Sequence, residues 1–236
     1  LRRELSAMQL HRDTARKQRL ERAVPVAAIV GYTNAGKSTL LNALTGADIL
    51  AQDQLFATLD PTTRRMELSS GQELLLTDTV GFIRKLPHHL VEAFQSTLEE
   101  ARYADFILHV VDSASPQIDA QMETVYETLA ELGVTGKPVI TLFNKQDLAG
   151  DRELPKDLRA SHSLRISAAT GEGLPELRGL LERTIQESRV LVERVYPYAQ
   201  AGDIARVRRY GQIVEEEYRE DGIYIRAWLP RGASNV

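Results

Sequence analysis

Gly31-Tyr32-Thr33-Asn34-Ala35-Gly36-Lys37-Ser38-Thr39 separates an apolar run, Val24 to Val30, from the helix-like stretch Leu40-Leu41-Asn42-Ala43-Leu44. The spacing is G-x-x-x-x-G-K-[ST], and its context is a buried strand followed by a helix start, which gives the pattern physical meaning. Glycines let the backbone wrap tightly, so that successive N–H groups point at phosphate oxygens. The helix N-terminus adds partial positive charge. Lys37 is placed to reach the β- and γ-phosphates and the Ser38 hydroxyl to ligate Mg²⁺. A glycine-rich turn that matches by chance is the alternative, and the strand-loop-helix context argues against it.

A phosphate loop leaves the base undetermined. Asn144-Lys145-Gln146-Asp147 follows the apolar segment Pro138 to Phe143. N-K-x-D at a strand end reads guanine. The Asp147 carboxylate can accept from N1–H and from the exocyclic 2-amino group. Adenine offers neither donor there, so a buried carboxylate facing it would be left unpaired. Asn144 is expected to brace the base and the neighbouring loops, with the Lys145 stem along the ring. Further on, Leu74 to Thr77 ends in Asp78-Thr79-Val80-Gly81, a D-x-x-G that sets a carboxylate near Mg²⁺ through water and a glycine N–H near the γ-phosphate. Leu164-Arg165-Ile166 leads into Ser167-Ala168-Ala169, where the Ala168 N–H could donate to guanine O6. Each short pattern is weak alone. Their order, each on a strand end, resembles a translation-factor-type GTPase domain.

Three stretches resemble the HflX family of ribosome-associated GTPases more closely. They are Val30 to Leu40, Leu55-Phe56-Ala57-Thr58-Leu59-Asp60-Pro61-Thr62, and Asp78 to Pro87 with its Gly81-Phe82-Ile83-Arg84-Lys85-Leu86-Pro87. The resemblance runs from about Arg16 to Pro230. It implies GTP and GDP as ligands, Mg²⁺, the large ribosomal subunit as partner, and ribosome splitting or rescue as the action. It also favours Thr58 as the mobile-loop ligand to Mg²⁺ and the γ-phosphate, with Thr62 and Thr63 as rivals, and so adds Phe56, Ala57, Leu59 and Asp60 to the expected nucleotide contacts. HflX proteins carry a sizeable N-terminal domain. Here only about twenty residues precede the first strand and the first is Leu, so the chain reads as a piece of a longer protein.

Composition agrees. The 236 residues are 43% hydrophobic and 26% charged, ordinary for a globular chain with one good core. No apolar run approaches the roughly 20 residues of a membrane-spanning helix. The absence of cysteine excludes disulfides and thiolate metal sites and fits a reducing cytoplasm. A net charge of −4 gives no global attraction to DNA, so any RNA contact rests on local basic patches.

Apolar strands at 24–30, 64–69, 72–77, 105–111, 138–143 and 163–167 alternate with helices at 37–45, 87–102, 117–132 and 173–188. This predicts a P-loop α/β fold of Ras-like type, a mostly parallel sheet with helices on both faces and ligand loops at the strands' C-terminal ends. Residues 1–22 hold seven Arg or Lys against three Asp or Glu. They read either as an RNA-facing helix or as the solvated remnant of a linker. The G domain is expected over 23–188. A small α+β domain follows at 189–230, from strands 190–196, 212–218 and 223–229 and a helix at 203–210, and then a tail at 231–236. Arg206, Arg208, Arg209 and Tyr210 could meet RNA phosphates, or form a solvated face balanced by Glu215, Glu216 and Glu217.

No catalytic residue is assigned. Ras-like enzymes orient the attacking water with a Gln just after D-x-x-G, and Phe82 stands there. Lys37, Thr58 and Gly81 are the candidates left, and slow intrinsic turnover is expected, with missing groups supplied by a partner, another loop or an ion. Asn34 occupies the position where potassium-activated GTPases carry Asn, so K⁺ is one such ion; a loop-capping Asn is the alternative. Two other function classes stay open: a GTP-gated binding module that hydrolysis only resets, and a GTPase of RNA modification or membrane transport. His88 and His89 do not share a helix face, which argues against a metal site. His109 reads as a satisfied core histidine, and Trp228 as packing.

Overall fold

The computed structural model describes residues 24–46, 62–79, 101–150 and 153–230. The expectations for 1–22, Phe56 to Asp60, Val80 to Phe82, most of the 87–102 helix and the 231–236 tail lie outside the described residues. The chain divides into two compact units, one from Pro25 to Leu180 and one taking in the chain from Leu181 on.

In the first unit the strands are β1 (Val26–Gly31), β2 (Thr62–Glu67), β3 (Glu73–Asp78), β4 (Phe106–Asp112), β5 (Val139–Asn144) and β6 (His162–Arg165). Its helices are α1 (Lys37–Thr45), α2 (Ile118–Glu131) and α3 (Gln146–Ala149); α4 (Leu174–Glu187) begins in this unit and is divided between Leu180 and Leu181. The sheet order is β2-β3-β1-β4-β5-β6. All neighbours are parallel except the edge pair β2–β3, which is antiparallel. β2 starts two residues earlier than its apolar pattern suggests. Thr63 and Thr77 pair across the ladder with hydroxyls 3.1 Å apart, and the chain is already turning at Leu68–Gly71, where Gly71 has φ +75.

The central strands β1, β4 and β5 form where they do because they are buried on both faces, whereas the edge strands β2 and β6 are largely exposed. Ala27, Ala28, Ile29 and Val30 are fully buried, as are Leu74, Leu76, Leu108, Ile140 and Leu142. Ala28, Val30 and Ile107 pack with Val125 and Leu129 of α2. The alternation of a strand sends Ala27 and Ile29 to the opposite face, and α1 lies against β1, β2 and β3. Arg178 of α4 donates to the Leu44 carbonyl at the end of α1, 2.8 Å away. The parallel topology carries the C-terminal ends of β1, β4 and β5 to one edge of the sheet, where the polar motifs begin.

The second unit is a three-stranded antiparallel sheet, β7 (Arg189–Tyr196), β9 (Gly222–Pro230) and β8 (Gln212–Arg219), with β9 central. Helix α5 (Ala201–Tyr210) supplies Ile204 and Val207 to a core made with Tyr196, Ile223, Ile225, Ala227 and Leu229. Trp228 does not belong to that core. It alternates out between Ala227 and Leu229 and is 38% exposed, opposite Leu191 in the register.

Candidate nucleotide-binding site

The loop between β1 and α1 is shaped by two glycines for two different reasons. A Cβ on Gly31 would lie 2.3 Å from the Val110 carbonyl oxygen, so the close approach of β4 forbids a side chain there. Gly36 sits in the left-handed region at φ +93, and a Cβ on it would lie 2.3 Å from Asn144 Nδ2. Asn34 is also left-handed, at φ 59, which Asn tolerates better than most residues. Between them Ala35 N–H donates to the Tyr32 carbonyl at 3.2 Å. The result is a tight turn that opens directly into α1.

Lys37 is the first residue of α1 and is buried. Its Nζ donates to the carbonyls of Gly31 and Tyr32 at 3.1 and 3.0 Å, arching over its own loop. Burial pushes its ammonium down to about 8, against the nearby Asp78 charge, which works to raise it. The next residue, Ser38, donates from Oγ to Asp78 Oδ2 at 2.8 Å. Asp78 is 2% exposed and ends β3, which the β1–β3 register sets beside Ile29. Thr79 follows and anchors itself to the Ile29 carbonyl through both Oγ1 and N–H, at 2.7 and 3.2 Å. A half-buried hydroxyl against a buried carboxylate is a pair of hard oxygen donors, which suits Mg²⁺ and not a soft ion. Among the described residues there is no cluster of His, Asp or Glu that would hold a metal unaided.

At the end of β5, Asn144 joins three loops. Its Nδ2 donates to the Ala35 carbonyl at 2.9 Å, and its Oδ1 accepts from the Ala168 N–H at 2.9 Å. The Ala168 N–H expected to face guanine O6 is therefore engaged by Asn144 in this structure. Asp147, in the one-turn helix α3, accepts from Ser167 Oγ at 2.6 Å, which aims its carboxylate. Ser167 N–H is held by the Glu172 carbonyl at 3.0 Å, and Gly173, at φ +73, closes the turn where a Cβ would strike the Arg165 carbonyl at 2.5 Å. Ser167, Ala168 and the Asn144–Asp147 turn thus form one hydrogen-bonded unit, beside the phosphate loop. Tyr32, Thr33 and Thr39 stand in that loop and helix start, and Ala169 in the turn after Ala168.

Residues outside the motifs complete the arrangement. Lys145 adopts φ 64 and its ammonium pairs with Asp112 Oδ2 at 2.8 Å. Asp112 ends β4 and lies opposite Asn144 in the β4–β5 register. Ser113 accepts from Gln146 Nε2 at 2.8 Å and donates its N–H to the Asn144 carbonyl at 2.9 Å. The sequence signal for this pair was a polar Asp-Ser directly after an apolar strand, the same signal that marks Asp78 and Asn144.

His109 is buried in β4 with no hydrogen-bond partner for Nδ1 among the described residues, so the expectation of a satisfied core histidine fails. Its ring meets Tyr126 edge-on at 5.1 Å, while the Tyr126 hydroxyl is taken by Asp157 at 2.6 Å. Burial pushes its pKa down to about 4, with Asp157 working to raise it and Lys37 adding to the fall. In the second unit, Arg208 pairs with Glu216 and reaches the Tyr218 hydroxyl at 3.0 Å, and Arg206 lies 3.8 Å from Asp203. Both arginines have carboxylate partners within the unit.

A glycine loop between β1 and α1, a carboxylate at the end of β3 and an Asn-Lys-x-Asp turn at the end of β5 define a P-loop nucleotide-binding domain of the GTPase class. A family model described as a 50S ribosome-binding GTPase matches residues 26–145. GTPase HflX of Lacrimispora saccharolytica is 60% identical over 98% of this chain, and that of Caldanaerobacter subterraneus subsp. tengcongensis is 46% identical over 95%. The chain belongs to the HflX family of GTPases. It spans about half the length of these two relatives, 54% and 51%. Among solved structures, a GTP-binding protein from Sulfolobus solfataricus in complex with GDP is 28% identical with a TM-score of 0.54, over 77% of this chain and 57% of that one.

Proposed function

We propose that this chain binds GTP and GDP with Mg²⁺, hydrolyses GTP slowly on its own, and acts on the large ribosomal subunit in a cytoplasmic setting. The observation that carries the nucleotide reading is Asn144. One side chain bonds the phosphate loop at Ala35 and the guanine-side loop at Ala168, so phosphate and base are read by one connected frame. Ribosome action is carried by the family alone: the matching model is described as 50S ribosome-binding.

In this reading the loop from Gly31 to Gly36 presents its N–H groups to the phosphates and α1 adds its dipole. Lys37 passes from the Gly31 and Tyr32 carbonyls to β- and γ-phosphate oxygens. Ser38 would hold Mg²⁺ directly and Asp78 through water; the ion supplies positive charge that offsets the phosphates. Asp147 accepts from the guanine N1–H and 2-amino group, with Ser167 keeping the carboxylate aimed. Thr58 and Gly81 are proposed as the γ-phosphate sensors, released when the phosphate is lost.

Cosedimentation with separated ribosomal subunits, with GTP, GDP and a non-hydrolysable GTP analogue in turn, tests the partner. Binding to large subunits with the analogue and release with GDP are expected; equal binding in all states, or none, refutes a GTP-directed ribosomal role. If the analogue also supports a full round of action, binding is the working step and hydrolysis the reset. Turnover in potassium, sodium and caesium tests Asn34 as an ion ligand: a faster rate in potassium is expected, and equal rates leave Asn34 as a loop cap.

A further inference from the structure

We propose that Asp112 is a positioning residue for the guanine site and acts through Lys145. The inference rests on the guanine reading of Asn144–Asp147. In that reading Lys145 contributes a hydrocarbon stem laid along the base, and a flexible four-carbon side chain does this only if its far end is fixed. The structure holds both ends. The backbone of Lys145 is in the left-handed region at φ 64, a conformation that a residue with a Cβ adopts at a cost. Its ammonium is 2.8 Å from Asp112 Oδ2, in a pair whose side chains are only 22% and 20% exposed.

The carboxylate is itself oriented. Asp112 Oδ1 accepts from the Ala114 N–H at 3.0 Å, which leaves Oδ2 turned to Lys145. Beside it, Ser113 takes the Gln146 amide at 2.8 Å and donates to the Asn144 carbonyl at 2.9 Å. The end of β4 therefore supports successive residues of the reader: Asn144 by its backbone, Lys145 by its ammonium and Gln146 by its side chain. The parallel register that sets Asp112 against Asn144 makes this possible. The Lys145 ammonium needs a counter-charge near the base, and a partly buried carboxylate supplies it with less solvent screening than a surface pair would.

The discriminating property is which step is touched. A stem stacked on the ring contributes to binding of any base that fits, and contributes equally before and during phosphoryl transfer. Losing its anchor should weaken nucleotide affinity without slowing turnover at saturation. Asp112→Asn is the chosen variant: its amide oxygen still accepts from Ala114, while its amide nitrogen faces the ammonium with a donor. Dissociation of a fluorescent GDP and of its inosine counterpart is measured in the wild type, Asp112→Asn, Lys145→Met and the double variant.

The expected result is a GDP affinity about tenfold weaker in Asp112→Asn. The inosine nucleotide should weaken by the same factor, turnover at saturating GTP should stay unchanged, and no further loss should appear when Asp112→Asn is added to Lys145→Met. Wild-type affinity in Asp112→Asn, a full additional loss on top of Lys145→Met, or a parallel fall in saturated turnover each overturns the proposal. Asp147→Asn serves as the separate control: if that variant keeps wild-type GDP affinity, the guanine reading fails, whatever Asp112 does.

Discussion

Lys37, the proposed phosphate ligand, is buried at a cost in stability. Its ammonium is buried and titrates at about 8 in place of the usual 10.5, because burial penalises the charge more than Asp78 compensates it. The folded state therefore holds its proton less tightly than the unfolded chain does. Between those two values the unfolded chain binds more protons, so this contribution to stability improves as pH rises from about 8 to 10.5 and is fully adverse below 8. The difference is worth up to about 3 kcal/mol. Lys37→Met should then raise the melting temperature of the nucleotide-free protein at pH 7, with the gain shrinking at pH 10, while GDP binding is lost. Denaturation at the two pH values measures it, and a variant less stable at pH 7 would show that the two carbonyl bonds outweigh the buried charge. Asp147 makes the complementary point for specificity. Xanthine has a carbonyl where guanine has its 2-amino group, so Asp147→Asn should lose GTP and gain xanthosine triphosphate; Asp147 is exposed in this structure, so the change in preference should stay below the roughly 10⁴-fold of a buried polar mismatch. Competition binding of the two nucleotides checks it, and unchanged GTP affinity would remove Asp147 from the base site.

At the scale of elements, the glycine loop and the Asn144–Asp147 turn proposed to read the base are one construction. A Cβ on Gly36 would meet Asn144 Nδ2 at 2.3 Å, in a residue already at φ +93. Gly36→Ala is thus expected to do two things: strain the loop by about 1 kcal/mol or more and push Asn144 off Ala35. GDP affinity should fall at least tenfold, and hydrogen exchange at Ala168, whose N–H bonds Asn144, should accelerate along with the loop; protection unchanged at Ala168 would break the link. How much of this was legible in the sequence follows from which contacts are local. Strand-loop-helix order places Gly31 to Ser38, Asp78, Asn144 and Ser167 to Ala169 at strand ends without any coordinates, because parallel sheets put their loops there. The Asp112–Lys145 pair depends on β4–β5 register, which no spacing along the chain encodes. The Arg208–Glu216 pair depends on how α5 lies over β8, so the sequence left a basic patch and a balanced face equally open. His109 reads as satisfied because core histidines generally are; that Nδ1 has no bond among the described residues, while the neighbouring Tyr126 hydroxyl goes to Asp157, is a matter of packing that no spacing along the chain encodes.

For the whole molecule, the remaining question is how a ribosomal partner would raise turnover, since Phe82 stands where a water-orienting Gln would otherwise be. Without that group the isolated chain should turn over far below the roughly 1–10³ per second of typical enzymes, and large subunits should raise the rate by supplying groups that complete the γ-phosphate site. If arginines of the second unit carried the contact, each neutralised RNA phosphate would add about 0.7–0.9 to the logarithmic salt slope. The structure argues against Arg208 as such a contact, because it is bonded to Glu216 and Tyr218, and an RNA phosphate would have to displace that carboxylate. Arg206, 62% exposed and 3.8 Å from Asp203, is held far more loosely. The measurement is GTP turnover with and without purified large subunits across a salt series, for the wild type, Arg206→Ala and Arg208→Ala. Stimulation at low salt is expected, with Arg208→Ala leaving the slope unchanged. A slope reduced by about one in Arg208→Ala would mean that Glu216 gives up its arginine to the ribosome. A reduction confined to Arg206→Ala would place the phosphate contact on the exposed side of α5. Stimulation that survives both substitutions with its full slope would move the contact to the first unit or to the basic residues before Val24, and no stimulation at any salt would sink ribosomal activation for this chain.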